Sequence, residues 1–512
     1  MQNNVVKVLL HDEEVGRLYW DVKQRRAVFS FAPSFVSQGL DIAPLTSSVK
    51  NAGVTAHAIM GNREKLFQGL PPFIADSLPD CWGNQVFEQW ARQHKIPLRS
   101  LTPVDKLAFI GKRGMGALEF EPATEGIETS ENIELGSLYL LARKIFEQRE
   151  NAQILPDEEL SLQSLYEVGT SAGGQHPKAI IAINDMTGEI RSGQISLPGD
   201  YTYYILKFAE GDDFPFTNVE MAYYELARLA SIQMMPSRLL ELDGRYHFLT
   251  ERYDRVNGRK IHTQTLAAMY PDATSYEDLF AVARMLDISV SEQSELFRRL
   301  VFNIFGGNVD DHVKNFSFML DNDGKWHITP AYDLTFTVNL EGAFYENRHS
   351  MTVGGKDEEF SVEDLLAFAK ENNIRDAKNI IEEVASAFTH FYELAMQCHV
   401  NDYWASRIEE YISHLVPEQY AEGMSHYLPT SVSPYKTQGG FLVTSFKLHE
   451  TKRHDFQLSA EINGVFYTYV ARRKSSLAHE IIERGRAKMN EENIKKIIEE
   501  YLVPLANKNV ND

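Results

Sequence analysis

The stretch FNIFGGNVDDHVKNFSFMLDNDGKWHITPAYDLTF, residues 302–336, carries the most informative local pattern in the chain. Asp310 and Asn315 are five residues apart in a segment with neither helical nor strand periodicity. FSFML and KWHIT then read as two short strands joined by the turn sequence DNDG. Because an antiparallel hairpin returns its end to its start, with strands about 4.8 Å apart, Asp333 is predicted to lie beside Asp310 and Asn315.

These side chains are of the types that phosphoryl transfer requires. Carboxylate and amide oxygens hold Mg²⁺ on a nucleoside triphosphate, and a separate carboxylate orients the attacking hydroxyl and accepts its proton. Asp310, Asn315 and Asp333 follow the order and spacing found in protein kinases. A polar loop with ordinary Asp turns is the plain alternative. A sharper one is a divalent-metal phosphohydrolase, whose ligands would be Asp310, Asp311, His312 and Asp333.

Two features upstream fit the same chemistry. EVGTSAGGQHPKAII, residues 167–181, is a glycine-containing loop that leads into a strand, and such loops can bind phosphate through backbone N–H groups, although a plain β-turn explains it too. Lys207 stands in the largely apolar strand YTYYILKF, where an ammonium needs an anion unless it extends to solvent. Glu220 at the next helix start is its natural partner, although acids are common at helix starts.

Composition sets limits on size and location. A chain of 512 residues exceeds one hydrophobic core, so two to four structural units are expected. There is no apolar run of roughly 18 residues and no signal-peptide pattern, which predicts a cytoplasmic protein with no membrane partner. Cys81 and Cys398 offer neither a disulfide framework nor a thiolate metal site.

The charge distribution bears on binding partners. The net charge of −21 argues against direct binding of nucleic acid over the whole surface. Residues 417–512 hold 13 Lys or Arg against 12 Asp or Glu, so the acidic excess lies entirely in residues 1–416. Only the last part of the chain is expected to tolerate contact with phosphates.

Three other segments predict β structure. RLLEL and YHFLTER surround Asp243-Gly244, and SAEI and VFYTYV surround Asn463-Gly464; both dipeptides are strong signals for two-residue hairpin turns. FIGKRGMGALEF, residues 109–120, predicts short strands interrupted by glycine.

At this point the motifs resemble a known family, the HipA-type serine/threonine kinases, which are toxin components of bacterial type II toxin–antitoxin systems. NVDDHVKNFSFML with TPAYDL resembles the catalytic and metal-binding segments of that family. TSAGGQHPKA resembles its phosphate loop, YYILKF its lysine strand and LTERYDR the linker between its two lobes. VGRLYW, LPPFIADSLPDCWG and GMGALEF resemble its small N-terminal domain, so the likeness covers residues 1–415.

The resemblance implies roles for individual residues. Asp310 would be the proton acceptor, and Asn315 and Asp333 would be the Mg²⁺ ligands. Ser171 matches a serine that some family members autophosphorylate. The residues implied to hold ATP are Ala172, Gly173, Gly174, Gln175, His176, Lys178, Lys207, Glu251, Arg252, Tyr253, His312, Lys314 and Tyr332, with the backbone of 251–253 meeting the adenine. The resemblance also implies a protein substrate and a small helix-turn-helix antitoxin that binds operator DNA.

These observations together predict an α+β protein. We expect a two-lobed protein-kinase-like fold, with a β-rich N-lobe and a largely helical C-lobe, plus a small N-terminal β-rich domain and a C-terminal extension. The predicted boundaries are 1–125 for the N-terminal domain, 126–253 for the N-lobe, 254–416 for the C-lobe and 417–512 for the extension. No motif of that family is recognised in the extension. A catalytically silent co-repressor is the alternative from another functional class.

Overall fold

The computed structural model describes most of the chain. The described residues are 5–51, 55–58, 64–124, 133–148, 158–169, 174, 176–210, 213–340, 347–417, 419, 435–437, 440–450, 456–463, 465–471, 495–496 and 498–504. The chain forms two compact units, one of Met1–Ile304 with Asn308–Ile381 and one of Phe305–Gly307 with Glu382–Asp512.

The first unit opens with an antiparallel five-stranded sheet in the order β4-β3-β2-β1-β5. In β3 the side chains of Ala27, Phe29 and Phe31 are buried in alternation, as expected for a strand with one face on a core. The strands are β1 Val5–Leu10, β2 Glu13–Asp21, β3 Arg26–Phe31, β4 Thr55–His57 and β5 Leu118–Glu121.

In the described residues, seven helices accompany these strands and the segment that follows them. They are α1 Pro33–Gln38, α2 Glu64–Phe67, α3 Pro72–Ala75, α4 Cys81–Gln93, α5 Pro103–Ile110, α6 Leu135–Gln148 and α7 Glu159–Val168, and Leu98–Ser100 forms a 3₁₀ turn. The strand prediction for residues 109–120 is wrong at its start, because Phe109 and Ile110 end α5. A capping box between Thr102 and Asp105, with Pro103 in the first turn, begins that helix.

The second sheet is also antiparallel and five-stranded, in the order β7-β6-β8-β10-β9. Its members are β6 Lys178–Asn184, β7 Ile190–Ser192, β8 Tyr201–Lys207, β9 Ser237–Leu242 and β10 Arg245–Glu251, with helix α8 Phe216–Leu229 after β8. The hairpin predicted at Asp243-Gly244 is confirmed, and both residues have the positive φ that this turn requires.

One hydrophobic core joins helices α4, α6 and α7 to this second sheet. Trp82 of α4 and Leu138 of α6 are completely buried in it, together with Leu206 and Leu249 of the sheet. The start of α4, although it belongs to the predicted N-terminal domain, is therefore packed against the strands that carry the predicted phosphate contacts.

The rest of the first unit is mainly helical, with short strands. It contains β11 Arg255–Val256, β12 Arg259–Lys260, β13 His262–Thr265, α9 Leu266–Met269, α10 Tyr276–Met285, α11 Val290–Gly306, β14 Ser317–Leu320, β15 Trp326–Ile328, α12 Val362–Glu371 and α13 Ala377–Phe388, of which α11 and α13 continue into the second unit. The predicted hairpin is confirmed, since β14 and β15 pair antiparallel with Phe318 opposite Ile328. Asp321 accepts the backbone N–H groups of Asp323 and Lys325 and so stabilises the turn.

In its described residues, the second unit has two further helices and an antiparallel sheet in the order β16-β17-β18-β19. These elements are α14 Phe391–Gln397, α15 Asp402–Ser413, β16 Tyr435–Lys436, β17 Leu442–Glu450, β18 Phe456–Ile462 and β19 Val465–Ala471, followed by a π-helical turn at Ile498–Leu502. The hairpin predicted around Asn463 is confirmed, because Ile462 pairs with Val465.

The whole is a mixed α/β protein with several separate antiparallel sheets. Among the residues described, no helix is both long enough and apolar enough to cross a membrane.

Candidate functional site

Lys207 lies at the centre of the candidate site, between two carboxylates. It ends β8, and its Nζ donates to Glu220 Oε1 of α8 at 2.5 Å and to Asp333 Oδ1. The Lys207 side chain is 16% exposed and that of Glu220 is 10% exposed. Burial by itself would lower the pKa of Lys207, but Asp333 and Glu220 more than offset it and raise that pKa above its ordinary value. The predicted Lys207–Glu220 pair is present, and the lysine is held as a cation.

Asp333 follows the β14–β15 hairpin and is held through its backbone as well as its side chain. Its φ of +52° is uncommon for a residue other than glycine but is tolerated by aspartate. Its carbonyl oxygen accepts from Asn308 Nδ2 at 3.2 Å. Burial would raise the pKa of Asp333, yet the ammonium groups of Lys207 and Lys178 lower it to about 2. The carboxylate is therefore ionised at neutral pH.

Asp310 and Asn315 lie in the loop between α11 and β14. Asn315 Nδ2 donates to the Asp310 carbonyl oxygen at 2.8 Å, and Asp310 N–H donates to Thr337 Oγ1 at 3.1 Å. The second bond joins the loop to the segment that begins at Asp333. The Asp310 side chain is exposed, and partial burial raises its pKa, with Asp333 contributing in the same direction. Asp310 and Asn315 thus lie in one loop, and that loop lies beside Asp333.

Asp311, the residue next to Asp310, lies in the protein interior. It is completely buried, and its two oxygens accept from Tyr276 Oη at 2.7 Å, His349 Nδ1 at 2.9 Å and Ser350 N–H at 2.8 Å. These bonds hold the loop on the helical part of the unit. They also take Asp311 out of the ligand set that the phosphohydrolase alternative requires.

A second lysine lies directly beside Lys207. Lys178 begins β6, is buried, and pairs with Lys207 across the two strands. Burial and the neighbouring Lys207 both lower the pKa of Lys178. Gly174, with φ of +106°, lies so close that a Cβ there would be 2.5 Å from Lys178 Nζ. A side chain at position 174 would therefore displace the lysine.

The rest of the predicted phosphate loop is described only in part. His176 is exposed, and its Nδ1 is 2.7 Å from Glu210 Oε1. Ser171, Ala172, Gly173 and Gln175 lie outside the described residues.

The linker Glu251–Tyr253 continues from the end of β10. The N–H of Glu251 donates to Pro236 O at 3.0 Å and that of Arg252 to Tyr203 O at 2.9 Å. An adenine that contacts this backbone would therefore bind the carbonyl groups of Glu251–Tyr253 or the N–H of Tyr253. The Tyr253 ring stacks on Tyr332 with centroids 5.9 Å apart.

The Arg252 side chain points into a buried ionic cluster. Its guanidinium binds both carboxylate oxygens of Asp254 at 2.8 Å, and Arg255 donates to Asp254 Oδ2 at 2.8 Å. Arg252 and Asp254 side chains are both 0% exposed. Asp254 also accepts the N–H of Gly116 at 2.7 Å, which joins this linker to the N-terminal sheet region. The Arg252 side chain therefore has a structural role and cannot contact a nucleotide.

The remaining predicted contacts lie around the loop that holds Asp310 and Asn315. Tyr332 Oη donates to the Lys314 carbonyl oxygen at 2.8 Å and lies 2.6 Å from Ser317 Oγ. Lys314 Nζ forms an ion pair with Asp80 at 2.6 Å. His312 Nδ1 is buried with no hydrogen-bond partner among the described residues.

Sequence reasoning missed several residues of this site. It did not predict that Asp333 would pair with Lys207, nor that Asp80 and Asp254 would contribute. It considered Asp311 only as a metal ligand, whereas the structure gives Asp311 a structural role. The available signal was a charged residue in a turn-forming segment: Asp80 in the LPD sequence and Asp254 in the RYDR sequence. That signal does not specify a partner more than 90 residues away, such as Gly174 for Asp80.

Family models match two parts of the chain. The HipA N-terminal domain matches residues 6–121, and the HipA-like C-terminal domain matches residues 170–391. Two curated proteins of Sinorhizobium fredii are similar: "Putative kinase Y4mE" is 27% identical over 228 residues, 39% of this chain and 53% of that protein. "Putative kinase Y4dM" is 26% identical over 168 residues, 29% of this chain and 41% of that protein. The chain spans about half the length of the curated relatives it matches.

A solved structure is similar in fold. It is a Shewanella oneidensis MR-1 toxin–antitoxin complex of HipA, HipB and operator DNA, and the match has a TM-score of 0.56 at 16% identity. It covers 82% of this chain and 97% of the matched chain.

Proposed function

The chain belongs to the HipA family, and from that membership we propose that it is an ATP- and Mg²⁺-dependent serine/threonine protein kinase. The observation that supports this most is the position of Lys207, which contacts both Glu220 and Asp333 beside the Asp310 loop. A strand lysine paired with a helix glutamate and placed next to a metal-binding aspartate is the arrangement that kinases use to hold triphosphate.

The proposed fold assignment follows the same elements. The sheet β6–β10 with α8 would be the N-lobe of a kinase-like pair, and the helical part with the β14–β15 hairpin would be the C-lobe. Lys207 would hold the triphosphate from one side, and Asp310 and Asn315 would face it from the other. The ATP site would then lie between the linker Glu251–Tyr253 and the catalytic loop, which is the loop that holds Asp310 and Asn315.

The side chains fit a magnesium ion with a triphosphate. Asp333 is ionised. The side-chain nitrogen of Asn315 donates to the Asp310 carbonyl oxygen, so the side-chain oxygen of Asn315 is not used in that bond and could bind the metal. The described residues contain no ready-made cluster of three or more His, Cys, Asp or Glu ligands. Mg²⁺ commonly takes one or two protein oxygens and completes its shell with phosphate and water. The unsatisfied His312 Nδ1 nearby suits an additional phosphate oxygen.

Each residue then has a defined task. Asp310 would orient the substrate hydroxyl and accept its proton, while Lys207 and Lys178 would bind phosphate oxygens. Asn315 and Asp333 would hold Mg²⁺, which neutralises the charge that develops on the phosphoryl group. With ATP bound, Lys207 would keep its ion pair with Glu220, which would hold the ammonium group in place.

The direct test is transfer of label from γ-³²P-ATP with Mg²⁺ to protein. We expect labelled protein with the natural chain and none with Lys207→Met. A chain that binds ATP but transfers nothing would instead support the silent co-repressor. Release of inorganic phosphate from phosphoesters without ATP would support the phosphohydrolase.

The proposal extends to partners. The similar Shewanella structure contains HipA with HipB and operator DNA, which supports a small DNA-binding antitoxin as partner for this chain. Operator DNA would then be bound through that partner. The substrate would be a protein hydroxyl.

Asn315→Ala is expected to weaken Mg²⁺-dependent ATP binding by about tenfold, the loss of one charge-assisted contact. Calorimetry with Mg²⁺ and with EDTA measures this, because the variant should bind ATP more weakly than the natural chain in Mg²⁺ but equally well in EDTA. Asn322→Ala, in the exposed hairpin turn, is the matched control. Equal ATP affinity for Asn315→Ala and the natural chain in Mg²⁺ would remove Asn315 from the metal site.

Autophosphorylation at Ser171 is expected to switch the kinase off. A phosphate adds a charge of about −1.5 to −2 close to where the ATP phosphates would bind. Phosphopeptide mapping after incubation with ATP and Mg²⁺ should find the modification, and Ser171→Ala should stay active for longer. An active enzyme without phosphate on Ser171 contradicts the prediction, as does a phosphorylated enzyme of undiminished activity.

A further inference from the structure

Asp80 breaks a local rule of helix structure. It is the N-cap residue of α4, a position where aspartate normally accepts an N–H from its own helix, yet its side chain makes no such bond. Departures from local preference often mark functional positions, because a competing contact outweighs the lost one. The competing contacts of Asp80 are both distant in sequence.

One carboxylate oxygen of Asp80 binds each side of the candidate site. Oδ1 accepts from Lys314 Nζ at 2.6 Å, in the loop that holds Asp310 and Asn315. Oδ2 accepts the N–H of Gly174 at 3.2 Å, in the predicted phosphate loop. The short distance between the Lys314 ammonium and the Asp80 carboxylate makes this contact an ion pair.

The residues on either side of Asp80 are fixed to the same two parts of the fold. Trp82 is completely buried; its N–H donates to Gly174 O at 3.2 Å and its indole Nε1 donates to Lys178 O at 2.9 Å. Asp76 accepts the N–H and the Oγ1–H of Thr265, at 2.7 and 2.8 Å, at the start of α9. We call residues 76–82 the strap, because they bind the phosphate-loop side at one end and the helical side at the other.

These contacts restrict the movement of the Lys178 backbone relative to α4 and of the phosphate loop relative to the loop that holds Lys314. The bonds from Trp82 hold both the Gly174 carbonyl and the start of β6, so the backbone beside Lys178 is held from outside its own sheet. Asp80 then connects that backbone to Lys314. Separation of the phosphate loop from the loop that holds Lys314 would break the Asp80–Lys314 ion pair or the Asp80–Gly174 hydrogen bond.

We propose that Asp80 is a positioning residue, which ties the phosphate loop to the catalytic loop and keeps both in the geometry needed for phosphoryl transfer. The inference rests on the proposed kinase function for its consequence, but its structural part concerns Gly174 and Lys314 alone. It gives a role to the LPD sequence of the N-terminal domain, a part of the chain outside the kinase-like lobes.

The kinetic test uses Asp80→Asn, which loses the charge but keeps an oxygen that can accept from Gly174, and Asp80→Ala, which loses both contacts. We expect kcat/KM for ATP to fall by about tenfold in Asp80→Ala and less in Asp80→Asn, because small misplacements of reacting groups have large kinetic effects. Asp41→Asn is the matched control: a half-buried acid of the same domain that binds Ser48 and Val49, away from the site.

A double-mutant cycle separates positioning from general stability. In a Lys314→Met background, Asp80→Asn should change kcat/KM much less than in the natural chain, because its partner is already gone. Equal effects in both backgrounds would overturn the ion-pair part of the proposal. A loss of activity that follows the loss of folded protein, measured by thermal unfolding of each variant, would also overturn it.

Backbone hydrogen exchange provides a readout that needs no activity. In Asp80→Ala without nucleotide, peptides that contain Gly174 should exchange faster than in the natural chain, while Asp41→Asn should leave them unchanged. Unaltered exchange in folded Asp80→Ala would overturn the proposal even if the chain is a kinase. Faster exchange with no phosphoryl transfer by the natural chain would uphold the strap and reject the kinase function.

Discussion

Replacement of Asp310 by asparagine should lower kcat for phosphoryl transfer by about 10³-fold, the usual contribution of a positioned general base. Asparagine has nearly the same shape but cannot accept the proton of the attacking hydroxyl. The bonds that hold this residue, to Thr337 and Asn315, come from its backbone and are unaffected by the substitution. ATP affinity and the midpoint of thermal unfolding should therefore remain close to those of the natural chain.

Single-turnover transfer of labelled phosphate, combined with calorimetry of ATP binding, measures this expectation. Asp323→Asn is the matched control, since Asp323 is an exposed aspartate in the turn of the neighbouring hairpin. If Asp310→Asn kept more than half of the natural rate, another group would have to be the base. If it lost ATP binding as well, Asp310 would be a binding residue.

The second large effect concerns stability. Asp254→Ala should destabilise the first unit by about 3–5 kcal/mol, because it leaves the guanidinium groups of Arg252 and Arg255 buried without their counter-ion. Both arginines donate to Asp254 at 2.8 Å, and Asp254 is completely buried. The substitution also leaves the N–H of Gly116 without its acceptor.

Denaturant unfolding at neutral pH measures the difference, and Asp272→Ala on the surface is the matched control. Burial would raise the pKa of Asp254, but the two arginines hold it below its ordinary value. A carboxylate with a lowered pKa contributes stability at every pH above its unfolded value and loses it only as the pH falls through the folded value. The effect of Asp254→Ala should thus be constant from pH 6 to 8. A change below about 1 kcal/mol, the size typical of exposed pairs, would show that the cluster is not essential.

Much of the candidate site follows from local sequence. The strand-like pattern and the turn residues of 316–329 are enough to predict a hairpin. Because the strands of a hairpin are antiparallel, the chain must return Asp333 toward Asn315. Lys207 and Glu220 are 13 residues apart across one strand-to-helix connection, so their pairing also depends on short-range geometry.

Local patterns mislead where a second local signal is stronger. The short run FIGK with its following glycines predicts a strand, but the capping box of Thr102 and Asp105 starts a helix that runs to Ile110. A cap satisfies backbone N–H groups at the helix start, and this outweighs the weak strand preference of a short apolar run.

What the sequence by itself determined is the set of chemical groups and their local order: the Asp310 loop, the hairpin that ends at Asp333, the lysine strand and the helix that carries Glu220. Only the tertiary structure decided which neighbour turns inward, since Asp310 is exposed whereas the adjacent Asp311 is buried against Tyr276. It alone paired Asp80 with Lys314, 234 residues away. The physical reason is that hydrogen bonds within a turn depend on a few adjacent dihedral angles, whereas long-range ion pairs form only where packing of the whole core brings their backbones together.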